Sequence, residues 1–149
     1  MKIAIANDHA GVKMKNSISS FLIDNGHQVF NYGTDEETSV DYPDYISKAA
    51  SAVQNGKADM GIVICGTGIG ASITANKFKG IYAALCHNEF TAKMSRNHNN
   101  ANVLAVGARV LSIDEAIKIV NIFINEPFLG ERHERRVKKI SQIEKENFK

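Results

Sequence analysis

With 149 residues, 44% hydrophobic and 23% charged, the chain has the length and balance of a globular protein that buries a core without disulfides or a structural metal. A formal charge of +2 argues against an overall field for nucleic acid or a membrane surface, and no apolar run approaches a bilayer-spanning length. The apolar part of the opening MKIAIANDHAG is too short for a signal peptide, and Cys65 and Cys86 have no metal-ligand spacing, so free thiols and a cytoplasmic location are expected.

Lys2 to Ala6 is a short apolar run that reads as a buried strand. Gly11 to Asn25 has helical spacing, with Val12, Ile18, Phe21 and Leu22 on one side and Gly26 as its stop. His27 to Tyr32 alternates like a strand and ends at Gly33. Asp41-Tyr-Pro-Asp opens a second helix carrying Ala49, Ala50 and Val53 up to the turn at Asn55-Gly56. Gly61 to Cys65 is a third strand, followed by the turn Gly66-Thr-Gly-Ile-Gly70 and a helix to about Lys79. Ile81 to Cys86 and Val103 to Val106 are the fourth and fifth strands. Between them lies the polar stretch His87 to Asn102, whose part Ser95 to Asn102 reads by pattern as a solvated loop. Ile113 to Asn125 is an apolar helix stopped by Pro127. A last helix runs from Glu131 to about Asn147, with Val137, Ile140 and Ile143 as its expected buried stripe. Five strands alternating with helices predict one three-layer α/β/α domain over 1–149, doubly wound and Rossmann-like around a five-stranded parallel sheet.

Ligands of open parallel sheets bind beyond the carboxyl ends of the strands. Those ends carry Asn7-Asp8-His9, then Cys65 with the glycine turn, His87-Asn88, and Gly107 with Arg109. Three alternating glycines between a strand and a helix start turn several N–H groups towards an anion. The same glycines also suit a tight turn that merely packs closely. Gly66, Gly68 and Ala71 satisfy a loose dinucleotide pattern with Glu89 as the ribose acid, but the turn follows the third strand rather than the first. Cys86 reads as a small core residue. Cys65 stands at a helix start, where thiolates are favoured, and suits either a base or a nucleophile. Asp8-His9 is equally a helix cap with a surface histidine. Arg132 and Arg136, four apart, share a helix face that is either solvated or a phosphate grip.

Together these segments resemble the type B ribose-5-phosphate isomerases, whose family also holds galactose-6-phosphate and allose-6-phosphate isomerases. The resemblance spans nearly the whole chain: Asn7-Asp8-His9-Ala-Gly11, Thr38 to Pro43 (TSVDYP), Ile64-Cys-Gly-Thr-Gly-Ile-Gly70, Ala75-Asn-Lys77, Ser95-Arg-Asn-His-Asn99, Asn102-Val-Leu-Ala105, Gly107-Ala-Arg109 and Arg132-His133…Arg136. It implies that Cys65 shuttles a proton between C1 and C2, while the amides of Gly66, Thr67, Gly68, Ile69 and Gly70 hold the enediolate oxygen. Thr67 and His98 are implied in ring opening and proton donation, Asp8 in binding sugar hydroxyls, and Asn99 in binding the ligand. Arg109, Arg132 and Arg136, with His9, are the implied phosphate grip. The resemblance further implies a homodimer or tetramer with sites completed by the neighbouring subunit, the helix 131–147 reaching that partner. No metal or cofactor is implied. One branch of the family places a glutamate just after the turn; here Ala71 stands there and Cys65 is present, the pattern of the cysteine-using branch. A six-carbon sugar phosphate, a non-catalytic sugar-phosphate sensor and a nucleotide-dependent oxidoreductase are the competing readings.

Overall fold

Strand residues alternate between two faces, and in this chain both faces are covered. In the computed structural model, which describes residues 1–148, β1 (Lys2–Asn7) sends Ile3 and Ile5 to one side and Ala4 and Ala6 to the other. β3 (Met60–Cys65) and β5 (Val103–Gly107) repeat the division, Ile62, Ile64, Leu104 and Val106 against Val63, Cys65, Val103 and Ala105. The large aliphatic side packs on α1 (Val12–Asp24) and α5 (Ile113–Asn125), through Ile18, Leu22, Ile119 and Phe123. The other side meets α2 (Tyr42–Gln54) and the short α3 (Ile69–Ala75) through Ile46, Ala49, Ala50, Ala71 and Ala75. Small residues on both surfaces there bring helix and sheet close together. The expected three-layer, Rossmann-like architecture is the observed one.

All five strands are parallel, in the order β2-β1-β3-β5-β4, with β2 at Gln28–Asn31 and β4 at Ala83–Leu85. From β1 the chain winds to β2 on one side and β3 lies on the other. The topological switch point is therefore the crevice outside the carboxyl ends of β1 and β3, where Asp8 and Cys65 stand.

Three expectations are corrected. α3 stops at Ala75 rather than near Lys79, because the Asn76 side chain turns out to pair with both backbone groups of Ala83 on edge strand β4 (2.8 and 3.0 Å). The polar stretch between β4 and β5 contains α4 (Glu89–Asn97), so Ser95 to Asn97, expected in a solvated loop, are the end of a helix. Asn88 caps it, accepting the Thr91 N–H at 2.8 Å, and Ala92, Ser95 and Asn97 are buried. Two of its polar residues face protein rather than water: Ser95 donates to the Ala92 carbonyl, and Asn97 donates to Glu126 Oε2 and the Pro127 carbonyl at 3.0 and 2.8 Å. The third concerns α6 (Arg132–Asn147), whose expected buried stripe is not buried within the chain. Val137 is half-buried, Ile140 and Ile143 are 44% and 60% exposed, and His133 is the only buried residue of the helix. No helix among the described residues is long and apolar enough to cross a membrane.

Candidate active site

Period-two alternation aims Cys65, the last residue of β3, to the small-residue side of the sheet, under the first turn of α3. There its Sγ accepts the Gly68 N–H at 3.2 Å, and the residue is only 4% exposed. Gly68 has a left-handed φ of +78°, and a Cβ on it would lie 2.6 Å from Leu85 Cδ1 and 2.8 Å from the Val106 carbonyl carbon. The turn therefore needs glycine at this position both for conformation and for space. The Thr67 hydroxyl accepts the Ile69 N–H at 3.2 Å, leaving Thr67 exposed at the tip of the turn.

Neighbouring strand ends frame this turn. The Asp8 N–H donates to the Ile64 carbonyl (3.1 Å), carrying β1's pairing with β3 one step beyond the sheet. Asp8 then caps the short 3-10 turn His9–Gly11, with Oδ1 accepting the Ala10 N–H at 3.0 Å. The capping reading of Asp8 is thus correct, and the residue also lines the pocket. From the end of β5, Ala108 and Arg109 donate N–H groups to the carbonyls of Cys65 and Gly66, both at 2.9 Å. The Arg109 guanidinium lies against Gly66, where a Cβ would be 3.1 Å from Nη1. The Tyr42 ring lies under Gly70, where a Cβ would be 2.5 Å from Cζ. These residues, with Ile69 and Ile73, enclose an open pocket of about 410 Å³. A crevice of about 450 Å³ elsewhere, lined by Tyr32, Lys48, Lys57 and Phe78 among others, carries no carboxylate, thiol or imidazole. Chemistry, not size, marks the strand-end pocket.

The remaining candidates stand outside that lining. His9 is adjacent, its Nδ1 accepting the Val40 N–H at 3.1 Å, which fastens the TSVDYP segment and so helps bring Tyr42 to the pocket. His98 ends α4 as its C-cap, followed by exposed Asn99. Arg132 and Arg136 are exposed on the first turns of α6. Asn97 holds this second group together: besides its two side-chain bonds, its carbonyl accepts the Leu129 N–H at 3.1 Å on the way into α6. His98 stacks on His133 with ring centroids 4.0 Å apart and planes 11° from parallel. The chain thus carries two separate sets of candidate residues. Asp8, Cys65 to Gly70 and Arg109 form one; His98, Asn99, Arg132 and Arg136 form the other.

Two residues beside these groups, Tyr42 and His133, carry no signal in their residue type alone. Tyr42 sits inside TSVDYP and His133 between the two arginines, so position in the motifs was the available signal. Behind Asp8, the buried Lys15 side chain donates to the Thr34 carbonyl (2.7 Å) and pairs with Asp35, bracing the segment that follows β2. Asn7 is fully buried there and donates to the Thr34 carbonyl at 3.0 Å. Cys86 lies in the large aliphatic core, and burial pushes its thiol pKa up. Both cysteines are free. No group of three His, Cys, Asp or Glu residues with metal-holding geometry occurs among the described residues.

Comparison with known proteins adds to this geometry. The ribose/galactose isomerase family model matches residues 3–140. Ribose-5-phosphate isomerase B of Escherichia coli is 45% identical over 96% of each chain. Among solved structures, ribose-5-phosphate isomerase B of Clostridium thermocellum superimposes with a TM-score of 0.96 and 51% identity, over 98% of this chain and 99% of that one. The Mycoplasma genitalium enzyme, solved with bound ribulose 5-phosphate, gives a TM-score of 0.94 and 43% identity over 98% and 97%.

Proposed function

Because the chain belongs to the ribose/galactose isomerase family, we propose that it interconverts ribose 5-phosphate and ribulose 5-phosphate through an enediolate. The observation that carries the chemistry is the Cys65 sulfur, held by the Gly68 N–H on the floor of a pocket walled by Asp8 and Arg109. In this reading the Cys65 thiolate takes the proton from C2 of the open-chain aldose. Electrons move to the carbonyl oxygen O1, which becomes the enediolate oxygen facing the amides of Gly66 to Gly70. Cys65 then returns the proton to C1, and the O2 proton passes to O1. Preorganised donors at such an oxygen contribute about 2.7–4 kcal/mol each, and a placed general base about 10²–10⁴-fold.

Ribose 5-phosphate is mainly a closed furanose, so ring opening comes first. His98 and Thr67 are assigned to it, since an imidazole can both give and take a proton near neutral pH. Asp8 receives sugar hydroxyls and Asn99 adds a ligand contact. Arg109, Arg132, Arg136 and His9 grip the phosphate, whose binding away from the reacting carbons supplies orientation. Because His98, Asn99 and the two α6 arginines lie outside the strand-end pocket, we assign them to the pocket of a neighbouring subunit in a homodimer or tetramer. The chain is then one isomerase domain over 1–149, with helix 131–147 laid on the partner by its exposed Ile140 and Ile143. Free thiols at Cys65 and Cys86 suit the cytoplasm.

Assay of ribose 5-phosphate, allose 6-phosphate and galactose 6-phosphate for ketose formation tests the assignment. The five-carbon substrate is expected to give the highest kcat/KM. A preference for either six-carbon sugar overturns the substrate, and no turnover of any of them leaves the sensor reading.

A further inference from the structure

His133 has no part in the chemistry above, yet it is the one residue of α6 that the chain buries, at 8% exposure. Its neighbours Arg132 and Arg136 point their charges outward, whereas its ring turns inward onto His98. The contact is face to face, 4.0 Å between centroids and 11° between planes. Of the other residues around His98, Asn97 is committed to Glu126 and Pro127, and Asn99 is exposed. The His98 backbone is fixed as the cap of α4, its N–H donating to the Met94 carbonyl at 2.9 Å. That leaves the side-chain torsions to be set by the flat face beside them.

We propose that His133 is a positioning residue that holds the His98 ring in its working orientation by stacking on it, and so keeps it in register with the arginines of the same helix. The inference rests on the role given to His98 in the proposed function. Two neighbouring imidazoles that both carried a proton would repel each other, and the surroundings of His133 disfavour its charged form. Burial first, then the charges of His98, Arg132 and Arg136, hold the His133 pKa below its ordinary value, with Glu131 opposing. A ring that holds its proton less tightly is the better neighbour for an imidazole assigned to proton transfer. A flat aromatic ring of any kind supplies the same support, and a branched aliphatic side chain of similar bulk does not.

The experiment compares His133→Leu, His133→Phe, His98→Asn and the double variant His98→Asn/His133→Leu in the intact enzyme, on ribose 5-phosphate and on a four-carbon aldose 4-phosphate. The shorter sugar cannot close a furanose, because its O4 carries the phosphate, and needs no ring opening. On ribose 5-phosphate, His133→Leu is expected to lower kcat about tenfold, a modest loss for a misplaced catalytic group, with KM changed little. On the four-carbon sugar the loss should stay below about threefold, and His133→Phe should stay close to the parent on both. Added to His98→Asn, His133→Leu should cost less than about twofold more, because a residue that acts through another has nothing left to position. Equal behaviour of the Leu and Phe variants overturns the proposal, as does a full multiplicative loss in the double variant. If His98→Asn itself loses equally on both sugars, the ring-opening role of His98 is wrong. The double variant then still decides whether His133 works through His98.

Discussion

The two groups of candidate residues differ in what holds them. Asp8, Cys65, the glycine turn and Arg109 hang from the ends of three adjacent parallel strands, joined by backbone bonds from Asp8 to Ile64, Ala108 to Cys65 and Arg109 to Gly66. His98, Asn99, Arg132 and Arg136 ride on the end of α4 and the start of α6, joined by the side chain of Asn97 and one pair of stacked rings. In the first group Asp8, Cys65 and Gly68 are buried at the strand ends, while Thr67, Ile69 and Arg109 are exposed around them. The second lies on a helix whose apolar residues Ile140 and Ile143 are exposed in the single chain. Proton transfer at carbon needs close, fixed geometry, and its proposed base, Cys65, ends a strand. Gripping a phosphate tolerates long exposed side chains, and half of the proposed grip, Arg132 and Arg136, is on α6.

The sharpest test of this contrast is Cys65→Ala. It should lower kcat by about 10²–10⁴-fold, the usual contribution of a general base, and abolish solvent deuterium exchange at C2. Its melting temperature should remain near the parent's, since the change trims one sulfur from a pocket floor. Turnover near the parental level would place the base elsewhere. The double change Ile140→Glu/Ile143→Glu attacks the other group without touching any proposed site residue. It should shift size-exclusion elution to a smaller species and lower kcat/KM at least about tenfold, as expected where a site needs a partner surface. An unchanged elution volume with full activity would show that α6 contacts no partner.

A milder measurement asks whether the two groups serve one site across subunits. Cys65→Ala and Arg136→Ala proteins, each poorly active, are mixed under conditions of proven subunit exchange. Random pairing should restore about a quarter of parental activity, because half the dimers are mixed and each holds one intact site. Absence of recovery would put base and phosphate grip on the same chain. The smallest effect is expected behind the strand-end group, at Asp35. Hydrogen bonds from Lys15 and then Asn31, with the Lys15 charge, hold the Asp35 carboxyl below its ordinary pKa. The contribution is fully present above the unfolded value of about 3.9 and is lost as pH falls through the lower folded value. The carboxylate is 74% exposed, so solvent screens its side of the pair, and the Lys15 ammonium, 2% exposed, keeps the Thr34 carbonyl as a partner when the charge is removed. Asp35→Asn should therefore lower the melting temperature slightly at pH 7, match the parent in strong acid, and leave kcat unchanged. Thermal scans across pH check it, and a large loss of kcat would mean that this brace reaches the catalytic residues.

Local pattern was enough for the five strands, most of the helices and the strand-end group. Alternating Ile and Ala in β1, or Ile and Val in β3, declares a sheet covered on both faces, and residues at strand ends follow automatically from that. The motif resemblance located the second group and Tyr42's segment. Local pattern misread α4, because Ser95, Arg96 and Asn97 look solvated in sequence while Ser95 and Asn97 are buried and Asn97 clamps the segment before α6. It also misread the α6 stripe, since helical spacing says which side is apolar but not whether anything in the same chain covers it. Strand order, the switch point between β1 and β3, the separation of the two residue groups and the His98–His133 stack were decided by tertiary structure alone. The reason is range: periodicity records how each residue relates to its near neighbours along the chain, whereas these features depend on contacts between segments far apart in sequence.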